Sequence, residues 1–343
     1  TQRSTLFPYT TLFRSARALA AGVGPVHLVV HGTLSCPEPG CTVGGPSTTP
    51  ALVVELDHAA LGPLVRARLP EASATRGTAR LRLTGRLGRL AARGVVHVEG
   101  VRHAALPLPL VLDVPLALDG PELELLDATA TASIGVVHAR GAVHLPQLER
   151  ATATTTATTP TLALEVSTDA LSLGPLLGGR AQGRLAVRAR LDGLASAPTA
   201  RVEGLISALS VGGQPVADVV PLVITARAGR YTLARTQVAL VGGGVLALEG
   251  STHGEVLDVR AFGEAIPLAT VATLGGVSST TAAALDGTLE LAVGARGPRS
   301  APTLSAEVEG QGLSVLGVAF DRAVVRAEGP SSALGFDVRL VGQ

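Results

Sequence analysis

Eight histidines, 27 acidic residues and two cysteines are the groups in this 343-residue chain with most capacity for chemistry. Their spacing decides whether they do any. His27 and His31 lie four apart, as two zinc-binding imidazoles on one helical turn would, but Leu28-Val29-Val30 between them reads as strand. His97 beside Glu99, and His138 beside Arg140, fall on the polar phase of alternating runs and read as surface imidazoles. Cys36 and Cys41 enclose the turn-forming Pro37-Glu38-Pro39-Gly40. In an oxidising compartment they could close a small disulfide loop, whereas a zinc site would need two further ligands and none stands near. Gly242-Gly243-Gly244, between two apolar runs, reads as a hairpin turn or bulge rather than a phosphate loop. There is no G-x-S-x-G elbow and no glycine loop ending in Lys-Ser/Thr. Glu55, Glu99, Glu203 and Glu307 recur with an internal repeat, which fits a solvated face. The expectation is no catalytic, metal or cofactor site, and no enzyme.

The composition points the same way. Hydrophobic residues make up 46% of the chain but aromatics only 2%, with no Trp. The apolar content is Leu, Val and Ala, not the aromatic anchors that dominate protein interfaces. A net charge of +1 predicts no attraction to nucleic acid. No run of about 18 apolar residues is present to span a membrane as a helix. The opening Thr1–Ser15 is unlike the rest, resembles a translated sequencing adapter, and is set aside from the fold reasoning. With no Met and a terminus inside an alternating run, both ends read as cut.

What must position any site is an internal repeat. "GRLAVRARLDG…APT" from Gly183 returns as "GTLELAVGARG…APT" from Gly287. Gly183/Gly287, Gly193/Gly297 and Pro198/Pro302 share one offset of 104 residues, and Glu203-Gly204 and Leu185 map back by it onto Glu99-Gly100 and Leu81. Each copy alternates with period 2. Leu81, Leu83 and Leu87 stand between Arg80, Arg82, Thr84 and Arg86; Leu185, Val187 and Leu191 between Arg184, Arg188 and Arg190; Leu289, Leu291 and Val293 between Thr288, Glu290 and Ala292. Strand side chains alternate between faces, so these strands present one apolar and one wet face. The segments from His58, Asp169 and Glu264, each with a Pro and each preceding a repeat strand, predict one or two helical turns on the rim. "ATATTTATTPT" from Ala151 reads as a linker or an edge strand.

The expected fold class is all-β: an elongated, repetitive antiparallel β-groove (β-taco-like) with short rim helices. Residues 16–155, 156–254 and 255–343 form three groove repeats, the last truncated, and the pattern is less regular before Ala79.

The "GRLAVRARLDG…APT" motif, its copy from Gly287, and the "VALVGGGVLALEG…LDVRA" run from Val238 resemble the AsmA-like superfamily and, within it, the TamB C-terminal region, from about Ala51 onward. That resemblance implies a twisted β-groove carrying phospholipid acyl chains between the inner and outer membranes. It implies a location in the periplasm or cell envelope, an inner-membrane anchor on the parent protein, and an outer-membrane β-barrel partner. Leu81, Leu83, Leu87, Leu185, Val187, Leu191, Leu289, Leu291 and Val293 would line the groove. A diacyl lipid has roughly 30 methylenes, whose exposure to water costs on the order of 24 kcal/mol, so a route between membranes must shield them throughout. A scaffold for outer-membrane protein assembly, or a purely structural β-solenoid with a filled core, would show the same alternation. A membrane β-barrel needs aromatic girdles that this composition lacks.

Overall fold

Alternating Leu/Val and Arg/Thr/Glu with glycine punctuation can satisfy backbone hydrogen bonds and bury one face only by pairing long strands. The structure, a computed structural model, describes residues 16–18, 26–31, 34–35, 42–43, 52–59, 72–86, 89–103, 106–145, 159–315, 317–330 and 332–342. The described residues are almost entirely antiparallel strand. The strands are β1 (Ala16–Ala18), β2 (Val26–His31), β3 (Leu34–Ser35), β4 (Thr42–Val43), β5 (Leu52–Ala59), β6 (Ala72–Ser73), β7 (Arg76–Arg86), β8 (Arg89–His103), β9 (Leu106–Asp119), β10 (Glu122–Ala132), β11 (Gly135–His144) and β12 (Thr161–Ser172). A 3₁₀ turn (Pro175–Leu177) then precedes β13 (Ala181–Leu194), β14 (Thr199–Val211), β15 (Gln214–Arg227), β16 (Arg230–Ala239), β17 (Val245–His253) and β18 (Val256–Pro267). Helices α1 (Leu268–Leu274) and α2 (Ser279–Ala282) precede β19 (Asp286–Pro298), β20 (Thr303–Val315), β21 (Val318–Pro330) and β22 (Gly335–Val341). The helical turns predicted from Asp169 and Glu264 are therefore present, each just before a repeat strand. The segment predicted from His58 and most of the Thr/Ala tract lie outside the described residues.

The chain forms two compact units, Thr1–Ser167 with Asp192–Ser196, and Thr168–Leu191 with Ala197–Gln343, so the division runs through β12 and β13. In the first unit the ladder runs β2–β5–β7–β8–β9–β10–β11–β12. In the second it runs from β14 to β22 in chain order. Among the described residues the outer strands of neither ladder pair with each other, so each sheet is open rather than a barrel. The fold class is the expected one: all-β, antiparallel and unclosed, with short helices.

The 104-residue offset reappears in the backbone. Gly183 and Gly287 (φ 154° and 108°), Gly193 and Gly297 (101° and 113°), and Gly213 and Gly317 (82° and 82°) all leave the region open to L-residues. So do Ala208 and Gly312, at 52° and 57°. Ala208 lies beside the irregularity in the β14–β15 register between Leu209 and Ser210, where a bulge bends the strand. Six strands separate β7 from β13 and β13 from β19, and helical turns precede both β13 and β19.

Gly242-Gly243-Gly244 is a turn between β16 and β17 with all three φ positive. A Cβ on Gly244 would stand 2.7 Å from Ile266 Cα, so this position needs glycine both for its φ and for close approach to β18.

Candidate apolar ligand face

Directly opposed residues in paired strands share a face, so the registers read out its composition row by row. In the first unit one row runs Val54–Leu81–Gly94–Leu116–Leu125–Gly141–Leu164, and the next Leu83–Ala92–Leu118–Leu123–Val143–Leu162. In the second, one row runs Ile266–Leu289–Gly310–Ala323–Leu340 and its neighbour Leu246–Gly263–Leu291–Val308–Val325–Val338. A third runs Leu248–Ala261–Val293–Ala306–Ala327–Phe336. No charged residue interrupts any of these rows.

Burial changes across the face of the second unit. Leu289, Leu313 and Ala323 form a buried cluster against which Leu268 of α1, Val308 and Phe320 pack. Ala217, Val220 and Val238 form another, flanked by Ile206, Leu209, Leu222, Leu240 and Leu246. Two rows away from Leu289, which is 7% exposed, Val293 is 41% exposed. Around Val293 a dominantly apolar hollow of about 210 Å³ is lined by Val259, Ala261, Ala295, Leu304, Ala306 and Leu334, among others. Small side chains make it, since Ala261, Ala306 and Ala327 fill the positions beside Val293 that larger residues would have closed. Among the described residues no large side chain is completely sealed from solvent. Thr236, opposite Leu248, is buried but its hydroxyl donates to the Pro221 carbonyl at 2.9 Å. Among the described residues no buried side-chain polar atom lacks a partner.

The residues expected on this face are placed as follows. Leu81 and Leu83 are half-buried in the first unit; Leu185, Val187 and Leu191 are half-buried on β13. Leu289 is buried, Leu291 half-buried and Val293 exposed. Arg184, Arg188 and Arg190 between them are exposed. Leu87, Cys36 and Cys41 lie outside the described residues. The sequence reading passed over β9, where Leu110, Leu112, Val114, Leu116 and Leu118 alternate just as the repeat strands do. Its signal was masked by Pro107, Pro109 and Pro115, which ordinarily argue against a central strand.

The opposite face is a lattice of charge. In the second unit Glu307 pairs with Arg326 at 2.6 Å, Glu309 with Arg322 at 2.8 Å, Asp258 with Arg296 at 3.0 Å and Asp337 with Arg339 at 3.0 Å. The hydrogen bond from Arg322 holds the Glu309 carboxyl below its ordinary value and Glu309 raises the Arg322 guanidinium in return, while Glu307 likewise raises Arg326. Each of the four recurring glutamates has a basic partner on its own unit: Glu55 with Arg80 at 3.0 Å, Glu99 with His97 at 3.2 Å, Glu203 with Arg201 at 2.9 Å, and Glu307 with Arg326. Among the described residues no group of three or more His, Cys, Asp or Glu is arranged to hold a metal ion, and no helix is long and apolar enough to cross a membrane.

No family model matches the chain, and neither a curated protein nor a solved structure matches it.

Proposed function

We propose that the chain is part of an AsmA-like, TamB-type envelope protein and that its apolar face carries phospholipid acyl chains between membranes. The observation that carries this reading is the second unit's face: uninterrupted apolar rows across β17 to β22, unsealed at Val293, with no unpaired buried side-chain polar atom among the described residues. A filled core would bury its largest side chains, and a face left half-open invites a flexible apolar occupant. Five ladder steps from β17 to β22, at about 4.8 Å each, give about 24 Å of wall, longer than the roughly 15 Å depth of one bilayer leaflet's hydrocarbon. A lipid could therefore slide along the wall without exposing its tails, at no more than the modest cost of exchanging one Leu/Val/Ala contact for another. The charged outer face keeps such a sheet soluble and directs lipid to one side only.

The test is photocrosslinking. A benzoyl-phenylalanine placed at Leu291 or Val293, against controls at Glu290 or Arg296 on the opposite face, is irradiated in the presence of vesicles of phosphatidylethanolamine and phosphatidylglycerol. Mass spectrometry then identifies adducts. Lipid adducts from the first pair and not the second support carriage. Equal labelling from both faces, or none from a folded chain, refutes it.

A further inference from the structure

The outer face of the first unit carries histidine–carboxylate pairs as well as arginine ones. Its strands β8 to β11 are cross-linked by histidines where the second unit uses arginines. His97 on β8 has Nδ1 2.6 Å from Asp113 Oδ1 on β9, and Nε2 3.2 Å from Glu99 Oε1. On β11, His138 Nδ1 stands 3.3 Å from Asp127 Oδ1 and His144 Nδ1 stands 2.5 Å from Glu122 Oε1, both acceptors on β10.

The geometry at His97 constrains its proton count. Ionised carboxylates only accept hydrogen bonds, and neutral imidazole has one N–H. Both ring nitrogens face a carboxylate oxygen, so both interactions are attractive only in the imidazolium, which donates from each nitrogen. In the neutral ring one nitrogen lone pair must face a carboxylate lone pair. We propose that this face of the first unit is a proton-operated clasp, in which protonated His97 ties β8 to β9 in mildly acidic conditions and releases them as the solution turns alkaline.

Charges of both signs surround these histidines. His97 is flanked on β7 by Arg76 and Arg80, the latter engaged by Glu55, and its opposite residue there is Thr78. From β9 it meets Asp113. His138 has Asp127 on β10 and, on β12, Glu165, which is held by Arg140 at 2.7 Å. His144 lies opposite Glu122, with Glu124 further along β10, and opposite Thr161 on β12. The two carboxylates that hydrogen-bond His97, Asp113 first, raise its pKa above the ordinary imidazole value. A group raised on folding contributes stability in full below its unfolded value and loses it as pH rises through the folded one. The clasp is therefore shut on the acid side. The ring is one-third exposed, so water screens the pair and the effect is local rather than global.

The experiment follows the full chain by hydrogen–deuterium exchange across pH, corrected for intrinsic base catalysis, with His C2-proton titration by NMR alongside. Exchange in peptides covering residues 95–101 and 111–115 should rise about two- to fivefold between about pH 6 and about pH 8. Peptides from β20 and β21, held by arginines, should stay flat and serve as the internal reference. His97→Gln should abolish the rise. If that variant fails to fold, Asp113→Asn keeps the ring and should lower the His97 titration midpoint. A His97 midpoint at or below that of a free imidazole overturns the proposal, as does an unchanged pH-dependent rise in His97→Gln.

Discussion

Replacing Leu289 by Ala should destabilise the second unit several times more than replacing Val293, although both stand on one face of β19 and only four residues apart. Leu289 is 7% exposed and packed by Leu313, Ala323, Leu268 and Phe320. Removing three buried carbons loses about 2.4 kcal/mol of transfer free energy at about 0.8 each, and a residual cavity brings the cost to about 3 kcal/mol. Val293 is 41% exposed, so the two carbons lost in Val293→Ala forfeit roughly 60% of about 1.6 kcal/mol, near 1 kcal/mol, and leave no enclosed cavity. The assay is urea unfolding followed by far-ultraviolet circular dichroism, since the chain has no Trp. Hydrogen exchange in β19 to β21 assigns the loss to this unit. Equal costs, or a larger one at Val293, would mean that the face is evenly filled, and the half-open wall on which lipid carriage rests would be refuted.

Further outcomes follow from particular residues. Ala208→Gly should stabilise the chain by about 1 kcal/mol, because Ala208 sits at φ 52° where its repeat partner is Gly312; a lower melting temperature would contradict the equivalence. Gly244→Ala should cost more than about 2 kcal/mol, since the new Cβ would meet the Ile266 backbone, whereas Gly229→Ala, with nothing within 4 Å, should cost about 1 kcal/mol; thermal melts compare the two. On the outer face of the second unit, the lowered Glu309 carboxyl gives its pair with Arg322 a contribution present above the ordinary carboxylate value and lost as pH falls through the folded one. Lowering the pH from about 8 to about 6 should therefore tighten β8–β9 and leave β20–β21 unchanged, with β20–β21 loosening only below the ordinary carboxylate range; hydrogen exchange in β20–β21 that already moves between about pH 8 and about pH 6 would contradict this.

Period-2 alternation was enough to define the strand class and which side chains of one strand share a face, because a strand's side-chain direction is fixed by its backbone. That is why Arg184, Arg188 and Arg190 are exposed and Leu185, Val187 and Leu191 are not. The 104-residue repeat was legible too, and its glycines carry matching backbone conformations because a left-handed φ selects residue type locally. Depth along the face was not legible. Leu289 and Val293 occupy the same phase of one strand, and only the packing of α1 and the neighbouring alanines makes one buried and the other open. β9 was hidden for a different reason: its alternation is present, but Pro107, Pro109 and Pro115 read as breakers of a central strand. The partners of the outer-face charges were equally hidden. His97 meets Asp113 sixteen residues away because register, a property of two strands together, sets them opposite. Local sequence determines which way a side chain points; what it meets there is decided by the strand beside it.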